Sequence, residues 1–498
     1  MTSFARLKNR LNTITDLGAA AAVLGWDQET YMPHGAVGVR AEQLATLSSL
    51  VHAMSTDAEM VALVDDVRAE LSALPERERR VAETFIKDHE RAVKLPASLV
   101  EEMARTASHA QEAWKRAKDA SDFTLFQPLL EKIIRLKREE SAILSTGGHP
   151  YDCLLDSFEP GLSVIELTPV FERLRVGTQD LLAELAAARS AVADDVLYRT
   201  YPKEMQLVFA KDIARALGFE FSTGRVDLSS HPFCTSFGST DVRLTTRIRE
   251  NDLRSCLFGL IHEAGHGMYE QGIGSDLVRT PSGQGASMGI HESQSLFWEN
   301  VVARSEEFWQ WAFPLLRDQF PEQLADQTPT SFYRAINRIQ PSLNRVESDE
   351  VTYNLHIILR FEIERDLIDG ILQVKDVPAA WNEKMKQSLG IVPPGDAEGC
   401  LQDVHWSFGG IGYFPSYTLG KLYAAMEWNA MQKDIPNVRE QIANGNFASI
   451  LLWLRNNIHS YGRTETPTEI IQRITGRTLT EADFLAYVGN KARAVYGL

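Results

Sequence analysis

Residues 260–267 read Leu260-Ile261-His262-Glu263-Ala264-Gly265-His266-Gly267, two imidazoles four positions apart with a carboxylate directly after the first. On a helix that spacing stacks both rings on one face, ~6 Å apart, so one divalent ion can take a nitrogen from each. Glu263 lies about 100° round the barrel, where it can lean towards the ion without being a ligand and take a proton from water beside it. The stretch before it supplies the helix. Leu253, Cys256, Leu257, Leu260 and Ile261 repeat at helical spacing, and Asn251 or Asp252 can cap the start. Three polar groups buried on such a helix without a partner would cost several kcal/mol, which favours a metal site over two packed core histidines.

A catalytic ion needs a third protein ligand and an open position. A third His six residues beyond His266 would fall at 272, but that residue is Gly272. A loop rich in glycine and serine follows, from Gly272 to Gly289, and a second helical stretch opens Ser287-Met288-Gly289-Ile290-His291-Glu292-Ser293. A helix there can fold back on the first and present Glu292 to the ion. His291 is the rival, but neighbouring helical residues point ~100° apart, so only one of the pair can face the metal squarely. Glu292 is the expected ligand, giving a set of two His and one Glu that suits catalytic zinc.

Length and composition bound the rest. The chain has 498 residues, 44% of them hydrophobic, and a net charge of −16, which argues against nucleic acid or an anionic membrane as a main partner. Cys153, Cys234, Cys256 and Cys400 form no close pair and suit buried thiols in a reducing compartment. The N-terminus has no apolar signal-like core, and no stretch reaches the ~18 uncharged apolar residues of a membrane span. The expectation is a cytoplasmic protein.

From Ser3 to about Leu144 the pattern is helical, with breaks expected at Pro33, Pro75, Pro96 and Pro128 and a capping box expected at Ser98 and Glu101. The polar and aromatic turn Trp26-Asp27-Gln28-Glu29-Thr30-Tyr31-Met32-Pro33 interrupts it. Helices resume from Leu162 to Leu217. Strand-like alternation then appears at Phe219-Glu220-Phe221, at Arg225-Val226-Asp227-Leu228, at His231-Pro232-Phe233-Cys234 and from Asp241 to Arg247. A small sheet should therefore precede the metal helix, with an edge able to pair with extended substrate. The remainder reads as helix, with Thr480 and Asp483 at a capping spacing. One large domain is expected, an N-terminal helical lobe over about 1–145 and a catalytic core over about 146–498.

Two later segments set polar groups among apolar ones. Arg345-Val346-Glu347-Ser348-Asp349-Glu350 leads into the helical run Val351 to Asp366, and Gly399-Cys400-Leu401-Gln402-Asp403-Val404-His405-Trp406 leads into a glycine- and tyrosine-rich loop holding Tyr413 and Tyr417. Beside that loop, His405 is a candidate donor to a developing oxyanion.

Together these stretches resemble the thermostable metallocarboxypeptidase family typified by carboxypeptidase Taq. The blocks stand in the family's order: His231-Pro232-Phe233, Asp241-Val242-Arg243-Leu244-Thr245, His262 to His266, His291-Glu292-Ser293, Arg345 to Asp349, and Gly399 to Trp406. Asn344 replaces the family's Ile or Val before the arginine, and Ser348 replaces its alanine. The resemblance implies a mainly α, two-lobed zinc-peptidase fold with a deep cleft, a homodimer, one zinc per chain with cobalt as a possible substitute, and removal of C-terminal residues from peptides with broad specificity. The roles expected on that basis are metal binding by His262, His266 and Glu292, catalysis by Glu263, His405 and Tyr413, and substrate binding by Arg345, His231, Arg243 and Tyr417, with Tyr417 also the alternative phenol. The rivals are a zinc oligopeptidase that cuts internally and a helical binding protein with structural zinc; the open fourth ligand position speaks against the latter.

Overall fold

The computed structural model describes residues 2–188 and 192–498. The chain is mainly helical with one three-stranded sheet, and it forms two compact units. Unit 1 comprises 1–93, 194–336 and 427–476; unit 2 comprises 94–193, 337–426 and 477–498.

Proline places the early helix boundaries. The first helix, Ser3–Thr30, ends before Pro33, Pro75 separates Ala73 from the helix Glu76–Lys94, and Pro96 precedes Ala97–Ala120. Pro128 sits in the first turn of Gln127–Leu144, where a missing N–H costs nothing. The capping box expected at Ser98 does not form, because Pro96, with its φ already fixed, takes the N-cap place and puts Ser98 inside the helix. The cap expected at Thr480 and Asp483 does not form either: Glu481 takes the N-cap place of Ala482–Tyr496, and Thr480 accepts from the Ala482 amide, 3.2 Å away.

Unit 1 carries the sheet: β1 (Gly224–Leu228), β2 (Cys234–Ser236) and β3 (Val242–Thr246) in the order β1-β3-β2. β1 pairs parallel with β3, Gly224 opposite Val242, and β2 pairs antiparallel with it, Cys234 opposite Leu244. Phe219-Glu220-Phe221 is not a strand. Gly218, at φ +110°, ends the helix Lys203–Leu217, and Phe219 turns inward as a buried side chain. The helix Leu253–Gly272 lies against this sheet, so closely that a Cβ on Gly267 would sit 2.7 Å from the Phe219 ring and 2.9 Å from Leu244.

Unit 2 is built from helices that include Ala97–Ala120, Val164–Leu185, Tyr353–Asp369 and Val377–Leu389. Ser163 and Glu166 close a capping box at the second of these. Its core includes Tyr151, Phe171, Phe361 and Trp381, each essentially inaccessible.

Candidate metal centre and polar cluster

The motif helix Leu253–Gly272 starts at Asp252, whose carboxylate accepts from the Arg254 amide. Ser287 caps the helix Met288–Leu296 in the same way through the Ile290 amide, 2.9 Å away. The two helices touch at a glycine: a Cβ on Gly265 would stand 2.6 Å from both the Gln294 carbonyl oxygen and the Ser295 Cα. That contact of bare backbone lets Glu292 reach the motif. Its Oε2 lies 3.6 Å from His262 Nε2 and 3.4 Å from His266 Nε2. One ligand atom from each of His262, His266 and Glu292 lies within 4.8 Å of the others, and among the described residues they form the one group of His, Cys, Asp or Glu side chains so placed.

The electrostatics suit a cation. Burial alone would lower the His262 imidazolium, but Glu292, Glu299 and Glu263 outweigh it and raise its pKa to about 10. His266 goes the other way, lowered to about 4 mainly by burial, because the neighbouring imidazoles oppose the single pull of Glu292. The Glu263 carboxyl is pushed up to about 7 by burial, with His262 pulling back. Three acids, one buried and two half-buried, facing two imidazoles make a site that draws in positive charge, so the donor set fits a divalent ion.

The sequence reading missed the groups around the ligands. Glu299 Oε2 lies 2.9 Å from His262 Nδ1, and its other oxygen accepts from Arg304, also at 2.9 Å. Despite its burial, these two partners hold the Glu299 carboxyl at about 2. Glu299 sits in a π-helical turn, Phe297–Val302, that continues the helix carrying Glu292; the wider turn changes which face a residue presents, which sequence spacing does not reveal. His291, the rival ligand, is turned to His266 instead, with 2.6 Å between the two Nδ1 atoms, and its Nε2 lies 2.7 Å from Glu270 Oε1.

Elsewhere in unit 1, Arg243 forks onto Asp241 with both contacts at 3.0 Å and lies 4.3 Å over the Trp26 ring. Trp26 takes Arg225 at 5.2 Å as well, which ties the end of the N-terminal helix to the sheet; the turn expected from Trp26 begins only after Thr30, because the helix runs on through it. His231 is exposed, and its carbonyl accepts from the Ser229 hydroxyl at 2.6 Å.

Unit 2 gathers Arg345, Asp403, His405, Tyr413 and Tyr417. Arg345 Nε and Nη2 donate to Asp403 Oδ1 at 3.0 and 2.9 Å, Nη1 donates to the Tyr353 hydroxyl at 2.6 Å, and the guanidinium lies 4.7 Å over the Tyr417 ring. Asp403 Oδ2 accepts from Arg360, a fully buried guanidinium. One carboxylate between two arginines leaves a net positive charge. Although burial opposes ionisation, the two guanidinium groups hold the Asp403 carboxyl far below the usual range. His405 Nε2 lies 3.1 Å from the Tyr417 hydroxyl, and burial lowers its pKa to about 4. Tyr413 packs 5.1 Å from the His405 ring and 5.4 Å from Tyr417.

The two departures from the family pattern both shape the arginine loop. Asn344 caps the short turn Arg345–Glu347 by accepting from the Val346 amide at 3.1 Å, and the Ser348 hydroxyl meets Ser342 at 2.9 Å. Asp349 accepts from the amides of Gln340, Val351 and Thr352, so it organises the backbone.

A helical fold whose His-Glu-x-x-His helix and following glutamate converge on one metal-sized point defines a helical metallopeptidase. The model of the carboxypeptidase Taq (M32) metallopeptidase family matches residues 6–492, and the chain belongs to that family. It is 39% identical to carboxypeptidase 1 of Bacillus subtilis over 98% of this chain and 97% of that protein. Identity to thermostable carboxypeptidase 1 of Thermus thermophilus is likewise 39%, over 97% of this chain and 96% of that one. The crystal structure of the M32 carboxypeptidase from Deinococcus radiodurans R1 covers all of both chains with a TM-score of 0.97 at 39% identity.

Proposed function

We propose that this chain is a zinc-dependent carboxypeptidase that removes residues one at a time from the free C-terminus of peptides, with broad specificity, and that it works as a cytoplasmic homodimer with all 498 residues in one metallocarboxypeptidase domain. The observation that carries the reading is the convergence of His262 Nε2, His266 Nε2 and Glu292 Oε2 beside a buried Glu263, in a chain of this family.

His262, His266 and Glu292 would hold zinc, or cobalt in its place, which would supply Lewis acidity to the scissile carbonyl and to water. Glu263 moves the proton. Buried beside the three proposed ligands, it takes a proton from the attacking water and delivers it to the departing amine nitrogen. His405 and Tyr413 donate to the carbonyl oxygen as it gains charge, with Tyr417 the alternative phenol.

Arg345 receives the terminal carboxylate. Of its five N–H groups, Asp403 and Tyr353 engage one each on Nε, Nη1 and Nη2, so two remain to bind an anion. The surplus positive charge of the Arg345–Asp403–Arg360 cluster favours that anion further. Arg243, on the central strand β3 over Trp26, and His231, in the loop before the edge strand β2, shape the sheet side of the substrate site or its carboxylate subsite.

Glu263→Gln tests the reading. The amide keeps the shape and leaves the three ligands untouched but cannot take the proton, so zinc content stays at one per chain while turnover of a free-acid peptide falls at least ~100-fold. Normal zinc with near-normal turnover would remove Glu263 from the mechanism.

A further inference from the structure

We propose that His291 and Glu270 are positioning residues for the ligand His266, a chain of contacts that holds its ring by Nδ1 so that Nε2 faces the metal. The proposal rests on the reading of His262, His266 and Glu292 as the metal triad. The geometry is a chain of three groups: His266 Nδ1 lies 2.6 Å from His291 Nδ1, and His291 Nε2 lies 2.7 Å from Glu270 Oε1.

Counting protons along this chain leaves one arrangement. His266 Nε2 faces Glu292, so as a ligand it must be unprotonated, and a neutral ring then carries its proton on Nδ1. That N–H donates to His291 Nδ1, which must therefore be bare. The His291 proton is left on Nε2, where Glu270 accepts it. The contacts thus hold the His266 ring by Nδ1 and leave Nε2 towards Glu292 and the metal site, and each member is needed to hold it there.

The surroundings hold His291 in place. Tyr269 packs 5.2 Å from its ring, and the Tyr269 hydroxyl accepts from the Ala286 amide at 3.0 Å, tying the preceding loop to the motif helix. Gly285 lies so close that a Cβ there would come within 2.6 Å of His291 Cδ2. Glu270 follows His266 by four residues on the same helix, so the relay folds back onto the element that carries its ligand. The two ligating histidines are also braced differently. His262 Nδ1 meets a carboxylate directly, at Glu299, whereas His266 Nδ1 reaches one, at Glu270, through another imidazole. The relay supplies an acceptor without placing a further anion against the ligand.

The test is zinc competition against a graded chelator, with cobalt absorption spectra, on full-length protein and four variants. His291→Phe keeps a flat ring for Tyr269 but cannot accept a proton; its zinc dissociation constant should rise about 10- to 100-fold while the visible cobalt bands keep the intensity of an intact ligand set. His291→Gln restores an acceptor and should recover most of the loss, and Glu270→Gln should fall between. His266→Ala is the control for the triad itself: if it binds zinc like the parent, the reading of the triad has failed, whatever the relay does. With that control passed, parental affinity in His291→Phe would overturn the proposal. Equal losses in the Phe and Gln variants would overturn it in favour of simple packing, and collapse of the cobalt bands in His291→Phe would make His291 a ligand.

Discussion

Replacing Asp403 by Asn should be among the most damaging single changes in unit 2. The carboxylate is 9% exposed and accepts from Arg345 through one oxygen and from Arg360 through the other, with the two guanidinium groups 8% and 0% exposed. An amide has one acceptor oxygen, and its NH₂ would point donors at donors, so one buried arginine loses its only counter-charge there. Breaking a buried pair from one side costs on the order of 3–5 kcal/mol. For a unit of ~200 residues that corresponds to a fall in Tm of roughly 6–20 °C. The two arginines hold the Asp403 carboxyl well below its unfolded range, so its stabilisation is complete above the unfolded pKa of about 3.9 and disappears only in strong acid. Differential scanning calorimetry at pH 5 and pH 8 should therefore give the same deficit at both. Adding Arg360→Met to Asp403→Asn removes the stranded charge and should recover part of the loss. A Tm within about 2 °C of the parent, or a deficit that changes between those pH values, would refute the reasoning.

Glu364 should give the opposite pH signature. Burial raises its carboxyl to about 7, offset in part by hydrogen bonds from Tyr151, Gly412 and Trp406; since the unfolded group ionises first, stability falls as pH rises from about 4.5 to 7. Glu364→Gln should remove about 3 kcal/mol of that fall, and urea unfolding of both proteins at pH 5 and pH 7.5 reads it; an identical slope in the variant would rule it out. Gly265→Ala would set a methyl 2.6 Å from the Gln294 carbonyl, forcing the two ligand helices apart, so it should cost about 1–3 kcal/mol and weaken zinc binding. Unchanged chelator competition would contradict the close-contact argument.

The convergence of His262, His266 and Glu292 was legible because their spacing is periodic. His262 and His266 follow helical spacing, and Glu292 lies on the helix Met288–Leu296 that folds back onto theirs. Proline breaks were legible for a similar reason, since a missing N–H and a fixed φ act locally. What depends on packing was not. Glu299 comes 37 residues after His262 on a π-helical turn, and no local pattern announces either the turn or the partner. Glu270 looks like any polar helix residue until the second helix brings His291 beside it. Similarly, Arg345 and Asp403 stood in separate motifs, but Arg360 between them read as an ordinary member of a helix. The sheet was expected, whereas its order was not: alternation marks candidate strands, of which His231 to Phe233 fall outside β2, and says nothing of β3 lying between β1 and β2. Phe219 to Phe221 alternates without pairing because burial of Phe219 against the motif helix satisfies the same pattern.

Recognition of a free C-terminus by this chain is tested most directly by comparing one peptide as its free acid with the same peptide as its C-terminal amide. If Arg345 or a neighbouring cation of its cluster receives the terminal carboxylate, amidation removes the charge and both hydrogen bonds, at a cost on the order of 2–4 kcal/mol, or roughly 30- to 1,000-fold in kcat/KM. Mass spectrometry should show the free acid shortening one residue at a time from its C-terminal end while the amide persists. Internal fragments appearing at equal rates from both peptides would contradict the account and make the chain an oligopeptidase.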